Sequence, residues 1–106
     1  MTSGQEISAM TGELAYVATK GAISAFTKSL FVELALIVIT VNGVNPGPPN
    51  STWMTDEIRE QLLPKFLMGR IGLPDNAAHI VGVLASDDAQ WIMGQVIYSE
   101  GGFFRS

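Results

Sequence analysis

The longest hydrophobic pattern in the chain runs from residue 15 to about residue 36. The apolar positions that recur there at helical spacing are Val17, Ala18, Ala22, Ala25, Phe26, Leu30 and Leu34. The segment contains no Pro, and further apolar residues fall on its other sides. This pattern predicts a long helix that is buried on more than one face.

Two short β-branched runs, at residues 37–44 and 95–98, predict strands. The first run, IVITVNGV, has the continuous apolar character of a strand buried on both faces, as in a parallel sheet. It has to end at the NPGPPN segment of residues 45–50, because Pro cannot donate to a sheet ladder. The glycines at 101 and 102 end the second run.

Two more helices are predicted between these strands. Thr55 or Ser51 can cap a helix over residues 56–63, whose acidic first turn suits the helix dipole and which Pro64 ends or kinks. A glycine-bearing connector then leads to a helix over residues 74–86. The order helix-strand-helix-helix-strand predicts an α/β fold with parallel strands. Because two parallel strands need cover on both faces, we interpret residues 1–106 as a single partial domain, the C-terminal half of a Rossmann-type doubly wound parallel sheet.

Composition excludes several classes of function. Of the 106 residues, 47% are hydrophobic and only 15% are charged, which excludes disorder. The net charge of −4 and the absence of clustered Lys and Arg argue against nucleic acid as a partner. There is no Cys, no apolar run of membrane-spanning length and no secretory signal, so we expect a cytoplasmic chain without membrane contact.

The same composition predicts association with other chains. A domain of this size buries only ~60–70% of its unfolded surface, which is too little to hide so many apolar residues. We therefore expect a missing piece or a partner, and the simplest partner is a second copy in a homo-oligomer.

Tyr16 and Lys20 are the first candidates for chemistry. They stand four residues apart on the predicted long helix and therefore share a face. An ammonium near a phenol favours the phenolate, so such a tyrosine can act as a general acid or base. Any long helix can carry this pair for structural reasons alone, and the surrounding motifs have to decide between the two readings.

Those motifs closely resemble the short-chain dehydrogenase/reductase family, and in particular 3-oxoacyl-acyl-carrier-protein reductases. In chain order they are YVATKGA at 16–22, TKSL at 27–30, ELA at 33–35, ITVN at 39–42, NPGP at 45–48, GRIG at 69–72, LASD at 84–87, GQVI at 94–97 and EGGF at 100–103. The resemblance implies an oxidoreductase that uses NAD or NADP to interconvert a small-molecule carbonyl and an alcohol. It implies that Tyr16 is the acid/base, that Lys20 assists it and holds the nicotinamide ribose, and that the Ser3 hydroxyl steadies the substrate carbonyl.

The resemblance also implies a cofactor site and shows departures from it. Pro46 and Gly47 match the turn beside the nicotinamide, and Ser51 falls near its carboxamide. Two positions depart from the family pattern: Val38 stands where Gly is usual, and Pro49 where a backbone N–H is usual. The family's Gly-rich phosphate-binding turn is absent from the 106 residues, so we expect little or no binding of the dinucleotide by this chain alone.

The remaining candidates have structural interpretations. His79 has no second His or Cys at ligand spacing, so we expect no metal site. Arg70 is expected to pair with an acidic neighbour, and the apolar residues around Trp53 form either a lid or buried packing. Two alternatives to an enzyme stay open: a non-catalytic oligomeric fragment, and a decayed reading frame, which Val38 and Pro49 would suit.

Overall fold

The structure, a computed structural model, describes residues 1–2, 14–48 and 54–104. In chain order its helices and strands are α1 (Leu14–Leu34), β1 (Gly43–Asn45), α2 (Asp56–Leu62), α3 (Pro74–Leu84) and β2 (Val96–Tyr98), with short 3-10 turns at Ala35–Ile37, Leu63–Lys65 and Asp87–Ala89. The predicted order of elements is confirmed.

The two strands form a parallel pair, as predicted. Asn45 lies opposite Tyr98 in the register, and the three residues of β1 are all buried. On the other edge of β1, the Thr2 N–H donates to the Val44 carbonyl at 2.7 Å. β1 therefore has backbone partners on both sides.

The predicted start of the first strand, at residue 37, is wrong. The chain is still turning at Ala35–Ile37 and Val38, so the ladder begins only at Gly43. Just before it, the Gly94 N–H donates to the Val41 carbonyl at 2.8 Å, and the Val41 N–H reaches the Met93 sulfur at 3.4 Å. These contacts tie the entry to β1 onto the loop that precedes β2.

Helix α1 has the predicted length, but its predicted burial is wrong. Among its described residues, only Ser24 and Thr27 are buried. The Thr27 hydroxyl donates to the Ile23 carbonyl at 2.8 Å, which satisfies it within the helix. The exposed aliphatic and phenylalanine residues of α1, here called the outer stripe, are Leu14, Ala15, Ala18, Ala22, Ala25, Phe26 and Val32. Nothing in the described chain covers this stripe.

The C-terminal end of α1 closes in a Schellman arrangement. The Val38 N–H donates to Ala35 O at 3.0 Å, and the Ile39 N–H donates to Leu34 O at 3.3 Å. Val38 is left-handed, with φ 60° and ψ 36°, which is the conformation for which Gly is preferred. The departure noticed in the sequence therefore falls on a strained residue.

The two short helices begin at side-chain caps. The Thr55 hydroxyl accepts from the Ile58 N–H at 3.3 Å, so Thr55 is the cap of α2, and Pro64 lies in the 3-10 turn that ends this helix. At α3, which begins at Pro74, the Asn76 side chain accepts from the Leu73 N–H at 2.8 Å. Both starts match the sequence prediction.

Candidate functional site

The direction of α1 places its first turns near the carboxyl ends of the strands. At its far end, Phe31 packs on the loop before β2, where a Cβ on Gly94 would lie 2.6 Å from the ring. That loop is at the amino ends of both strands, and α1 packs against β1. The helix therefore begins toward the opposite edge, which is where ligands bind in open α/β sheets.

Tyr16 and Lys20 lie together on the first turns of α1. The Lys20 ammonium is 5.8 Å from the centroid of the Tyr16 ring, within cation–π range. Tyr16 is 46% exposed, so a small molecule can reach its phenol. The structure therefore brings together the two residues that the sequence singled out.

The turn after β1 is held by side-chain contacts. The Asn45 Oδ1 accepts from the Gly47 N–H at 3.0 Å, closing a turn around Pro46. Gly47 has φ 64°, and a Cβ on it would lie only 2.8 Å from the Glu100 Cβ. Both the backbone angle and the available space therefore require glycine at this position.

Other predicted site residues fall outside the described parts of the chain. These are Ser3, Ser51, Pro49 and Trp53. Thr2, the described neighbour of Ser3, is buried beside β1. Of the expected site, the structure therefore describes Tyr16 and Lys20 on α1 and Pro46 and Gly47 after β1.

Sequence reasoning missed Asn45 and Glu100. Asn45 is 0% exposed and Glu100 lies against Gly47, so both shape the turn. The signal for Asn45 was available, because an Asn placed two residues before a glycine commonly accepts from its N–H. No local pattern pointed to Glu100, which reaches the turn only through the pairing of β1 with β2.

A cleft of about 400 Å³ opens beside this turn, lined by Met68, Arg70, Asn76, Tyr98, Ser99 and Glu100 among others. Within the described chain, Arg70 donates to Asn76 Oδ1 at 3.0 Å and to Ile71 O at 3.4 Å, not to an acidic neighbour as expected. The Asn76 oxygen is nearby because it caps α3. Arg70 therefore fastens the connector to the start of α3.

Two further findings concern the described residues only. They contain no group of three or more His, Asp or Glu side chains placed to hold a metal ion. None of their helices has the length and apolar character needed to cross a membrane.

Comparisons with known proteins place this geometry in a family. A family model described as enoyl-(acyl carrier protein) reductase matches residues 1–104. The chain is 69% identical over 105 residues to the uncharacterized oxidoreductase YjdA of Bacillus subtilis, covering 99% of this chain and 42% of that one. A short chain dehydrogenase family protein from Francisella tularensis superposes with a TM-score of 0.84 at 32% identity, over 95% of this chain and 48% of that one. The chain belongs to the short-chain dehydrogenase/reductase family.

A second solved structure extends the likeness. The 3-ketoacyl-(acyl-carrier-protein) reductase from Brucella melitensis, complexed with NADH, superposes with a TM-score of 0.83 at 31% identity. The match covers 95% of this chain and 41% of that one. Both the Rossmann-type fold class and the similarity to 3-oxoacyl-acyl-carrier-protein reductases are therefore confirmed. The chain spans less than half the length of each of these three proteins.

Proposed function

We propose that this chain carries the proton-transfer site and the nicotinamide-side turn of an NAD(P)-dependent oxidoreductase that interconverts a carbonyl and an alcohol. The observation that carries the proposal is the Tyr16–Lys20 pair, with the Lys20 ammonium 5.8 Å from the Tyr16 ring centroid. The pair lies on the end of α1 that points to the carboxyl edge of the strands. Family membership supports the reaction class.

Tyr16 would handle the proton in this reaction. Reduction of a carbonyl adds a hydride to carbon and a proton to oxygen, and a bound nicotinamide would supply the hydride. The Tyr16 phenol would donate the proton to the substrate oxygen, and the Lys20 ammonium would stabilise the phenolate that remains. In the direction of oxidation the same phenolate would accept the alcohol proton. Ser3, whose hydroxyl would steady the carbonyl, completes the proposed catalytic set.

The described residues fit the nicotinamide end of such a cofactor. The turn at Pro46–Gly47 has a backbone conformation that requires glycine. Beside it, the buried Asn45 Nδ2 has no hydrogen-bond partner among the described residues. An amide donor of this kind suits the carbonyl and hydroxyl oxygens of a nicotinamide riboside. Lys20, Pro46, Gly47 and Ser51 are the residues that we propose hold this end.

The sequence offers no equivalent for the phosphates. Its 106 residues contain no Gly-x-Gly-x-x-Gly, the turn that places a pyrophosphate on a helix N-terminus. We therefore expect the chain on its own to bind NADH and NADPH weakly. The choice between the two cofactors depends on the residues that recognise the adenosine ribose.

We also propose that the chain associates with itself. The outer stripe of α1 is apolar and uncovered, which favours a helix-to-helix contact between copies. Light scattering at micromolar concentration tests this proposal, and a compact, monodisperse monomer would contradict it.

The activity is tested in a chimera with the relative from Bacillus subtilis. The 105 residues that align with that oxidoreductase at 69% identity replace its matching segment. We expect the chimera to oxidise NADH or NADPH while it reduces at least one member of a panel of ketones and aldehydes. The absorbance of the reduced nicotinamide measures this reaction. Tyr16→Phe, which removes only the proton donor, should lower kcat by about 10²–10⁴-fold.

The matched control is Tyr98→Phe, which removes the hydroxyl of a tyrosine at the end of β2. We expect it to change kcat by less than about threefold, because this hydroxyl has no part in the proposed proton transfer. Full activity in Tyr16→Phe, or equal losses in the two variants, would contradict the assignment of Tyr16.

A further inference from the structure

The entry to β1 contains a reactive pair of residues. Asn42 is the one asparagine of the chain that is followed by glycine, and Gly43 is the first residue of β1. Because glycine has no side chain to shield its nitrogen, that nitrogen can approach the side-chain carbonyl carbon of the preceding asparagine closely. Asparagine is accordingly among the thermolabile residues of proteins. The sequence therefore places a dipeptide that can lose its side-chain amide at the start of the sheet.

The groups that would react are all bonded to the loop before β2, residues 92–95. The Gly43 N–H donates to Gln95 O at 2.7 Å. The Asn42 Nδ2 donates to Ile92 O at 3.0 Å, and its Oδ1 accepts from the Gln95 N–H at 3.0 Å. The carboxamide is thus held toward this loop, away from the Gly43 nitrogen that would attack it. All three hydrogen bonds have to break before the two groups can meet.

Packing explains why glycine stands at position 43. A Cβ there would lie 3.3 Å from the Thr2 methyl group and 3.4 Å from a methyl group of Val96. Gly43 is buried and Asn42 is half-buried. A side chain at position 43 would hinder the attack on Asn42, but the sheet has little room for one. The fold therefore needs, at this position, the residue that makes Asn42 reactive.

We propose that Asn42 is a latent deamidation site, which reacts only when the entry to β1 separates from the loop before β2. The Gly43 nitrogen then gives up its proton to the solvent and bonds to the Asn42 Cγ. The Cγ–Nδ2 bond breaks, and Nδ2 takes a proton from the solvent and leaves as ammonia. Water adds to one carbonyl carbon of the cyclic imide and breaks a C–N bond, which leaves aspartate or isoaspartate at position 42.

Either product would prevent the contact from closing as before. A carboxylate at position 42 would place an acceptor against the Ile92 carbonyl, where Asn42 provides a donor. Isoaspartate would also add a carbon to the backbone, which moves the Gly43 N–H away from Gln95 O. A separation of β1 from this loop that lasts long enough for the reaction therefore becomes permanent.

The test follows the whole 106-residue chain at neutral pH, with and without denaturing urea, at one temperature. Peptide mass spectrometry measures the fraction converted at position 42, and chromatography separates the isoaspartyl peptide. We expect conversion to be at least about thirtyfold slower in the folded chain, because it has to wait for local opening. Asn45 is the internal control. It precedes Pro46, whose nitrogen carries no proton, so its side chain should stay intact in both conditions.

A pair of variants tests which contact has to open. The Phe31 ring lies 2.6 Å from where a Cβ on Gly94 would be, so Phe31→Ala loosens the loop before β2. It should raise the conversion rate of the folded chain at least about fivefold and leave the rate in urea unchanged. Phe26→Ala is the matched control on the same helix. Phe26 is 64% exposed, and its removal should leave the rate within about twofold.

The unmodified chain keeps the test decisive if Phe31→Ala folds poorly. In urea concentrations below the unfolding midpoint, its conversion rate should rise with each step as the contact opens more often. A chain converted in urea and then refolded should have a lower free energy of unfolding than an unconverted chain treated in parallel.

Four results would overturn the proposal. Equal conversion rates in the folded chain and in urea would show that the three hydrogen bonds do not protect Asn42. An intact Asn42 after long incubation in urea would show that the dipeptide is not reactive. An unchanged rate in a folded Phe31→Ala variant would show that the loop does not control the reaction. An unchanged stability of the converted chain would show that the modification does not block the contact.

Discussion

Strand β1 and helix α1 differ in how far the described chain covers them. The three residues of the strand, Gly43, Val44 and Asn45, are all buried, and a buried asparagine and a glycine turn shape the end of the strand. The helix buries two hydroxyl residues among those described, while Phe26 on its outer stripe is 64% exposed. The strand is thus covered along its whole length, whereas apolar groups face outward on the helix.

This difference separates what the chain holds by itself from what it presents for contact. The strand region is defined by internal contacts: the pairing with β2, the Thr2 hydrogen bond and the Gly47–Glu100 packing. The outer stripe of α1 gains nothing from internal contacts and stabilises the protein only when something covers it. The proposed site lies between the two regions, since Tyr16 belongs to the helix and Gly47 to the strand side.

The largest effect is expected from breaking the strand side at its turn. Gly47→Ala forces an L-residue into φ 64° and places its Cβ 2.8 Å from the Glu100 Cβ. Backbone strain and overpacking together should lower the free energy of unfolding by about 3 kcal/mol, measured by urea denaturation.

Gly69→Ala is the matched control for this variant. Gly69 also has a positive φ, 87°, but a Cβ there meets nothing within 4 Å. Gly69→Ala should lower the free energy of unfolding only by the cost of backbone strain, about 1 kcal/mol. Equal losses of unfolding free energy in the two variants would mean that Glu100 moves aside for the added Cβ at no cost, and that its contact with Gly47 does not define the turn.

The next largest effect is expected on the outer stripe of α1. If the outer stripe of α1 is the surface through which copies associate, Phe26→Lys should raise the self-association Kd by at least about tenfold, because a charge would be buried against apolar side chains. Sedimentation over a range of concentrations measures this change.

Trp91→Lys tests whether association is specific to that stripe. Trp91 is 98% exposed and lies outside α1. If copies associate through α1, this variant should leave the Kd within about twofold, as is usual for surface changes away from an interface. A similar rise in both variants would point to unspecific apolar association, and no rise in Phe26→Lys would remove α1 from the interface.

The sequence predicted those parts of the molecule that local chemistry determines. The helix starts at Thr55 and Pro74 follow from capping rules, and the end of β1 follows from Pro46. The closeness of Tyr16 and Lys20 follows from helical spacing alone.

Long-range contacts could not be predicted in the same way. Glu100 reaches Gly47 only because β1 and β2 pair, and no spacing within the chain encodes this contact. The sequence predicts too early a start for β1, because the β-branched residues at 37–41 favour a strand, although Val38 has to reverse the chain. Apolar periodicity also predicted burial for α1, but such a pattern does not say whether the cover comes from the same chain.

The smallest predicted effect lies at the junction of the two regions, where α1 turns toward β1. Val38→Gly should raise the free energy of unfolding by about 1 kcal/mol, since glycine adopts φ 60° without the strain imposed by a β-branched side chain. Little packing is lost, because Val38 is 88% exposed. The measurement is again the urea midpoint at fixed chain concentration, so that association does not enter the comparison.

Leu36→Gly is the control for this gain. Leu36 is 90% exposed but lies in the 3-10 turn with an ordinary backbone, so glycine there only adds freedom to the unfolded chain and should cost about 0.5–1 kcal/mol. Opposite signs for two neighbouring, equally exposed substitutions would assign the effect to the left-handed conformation of Val38. If Val38→Gly destabilises the chain as Leu36→Gly does, the valine is not strained in solution, and the turn that leads from α1 to β1 has a different backbone from the one described.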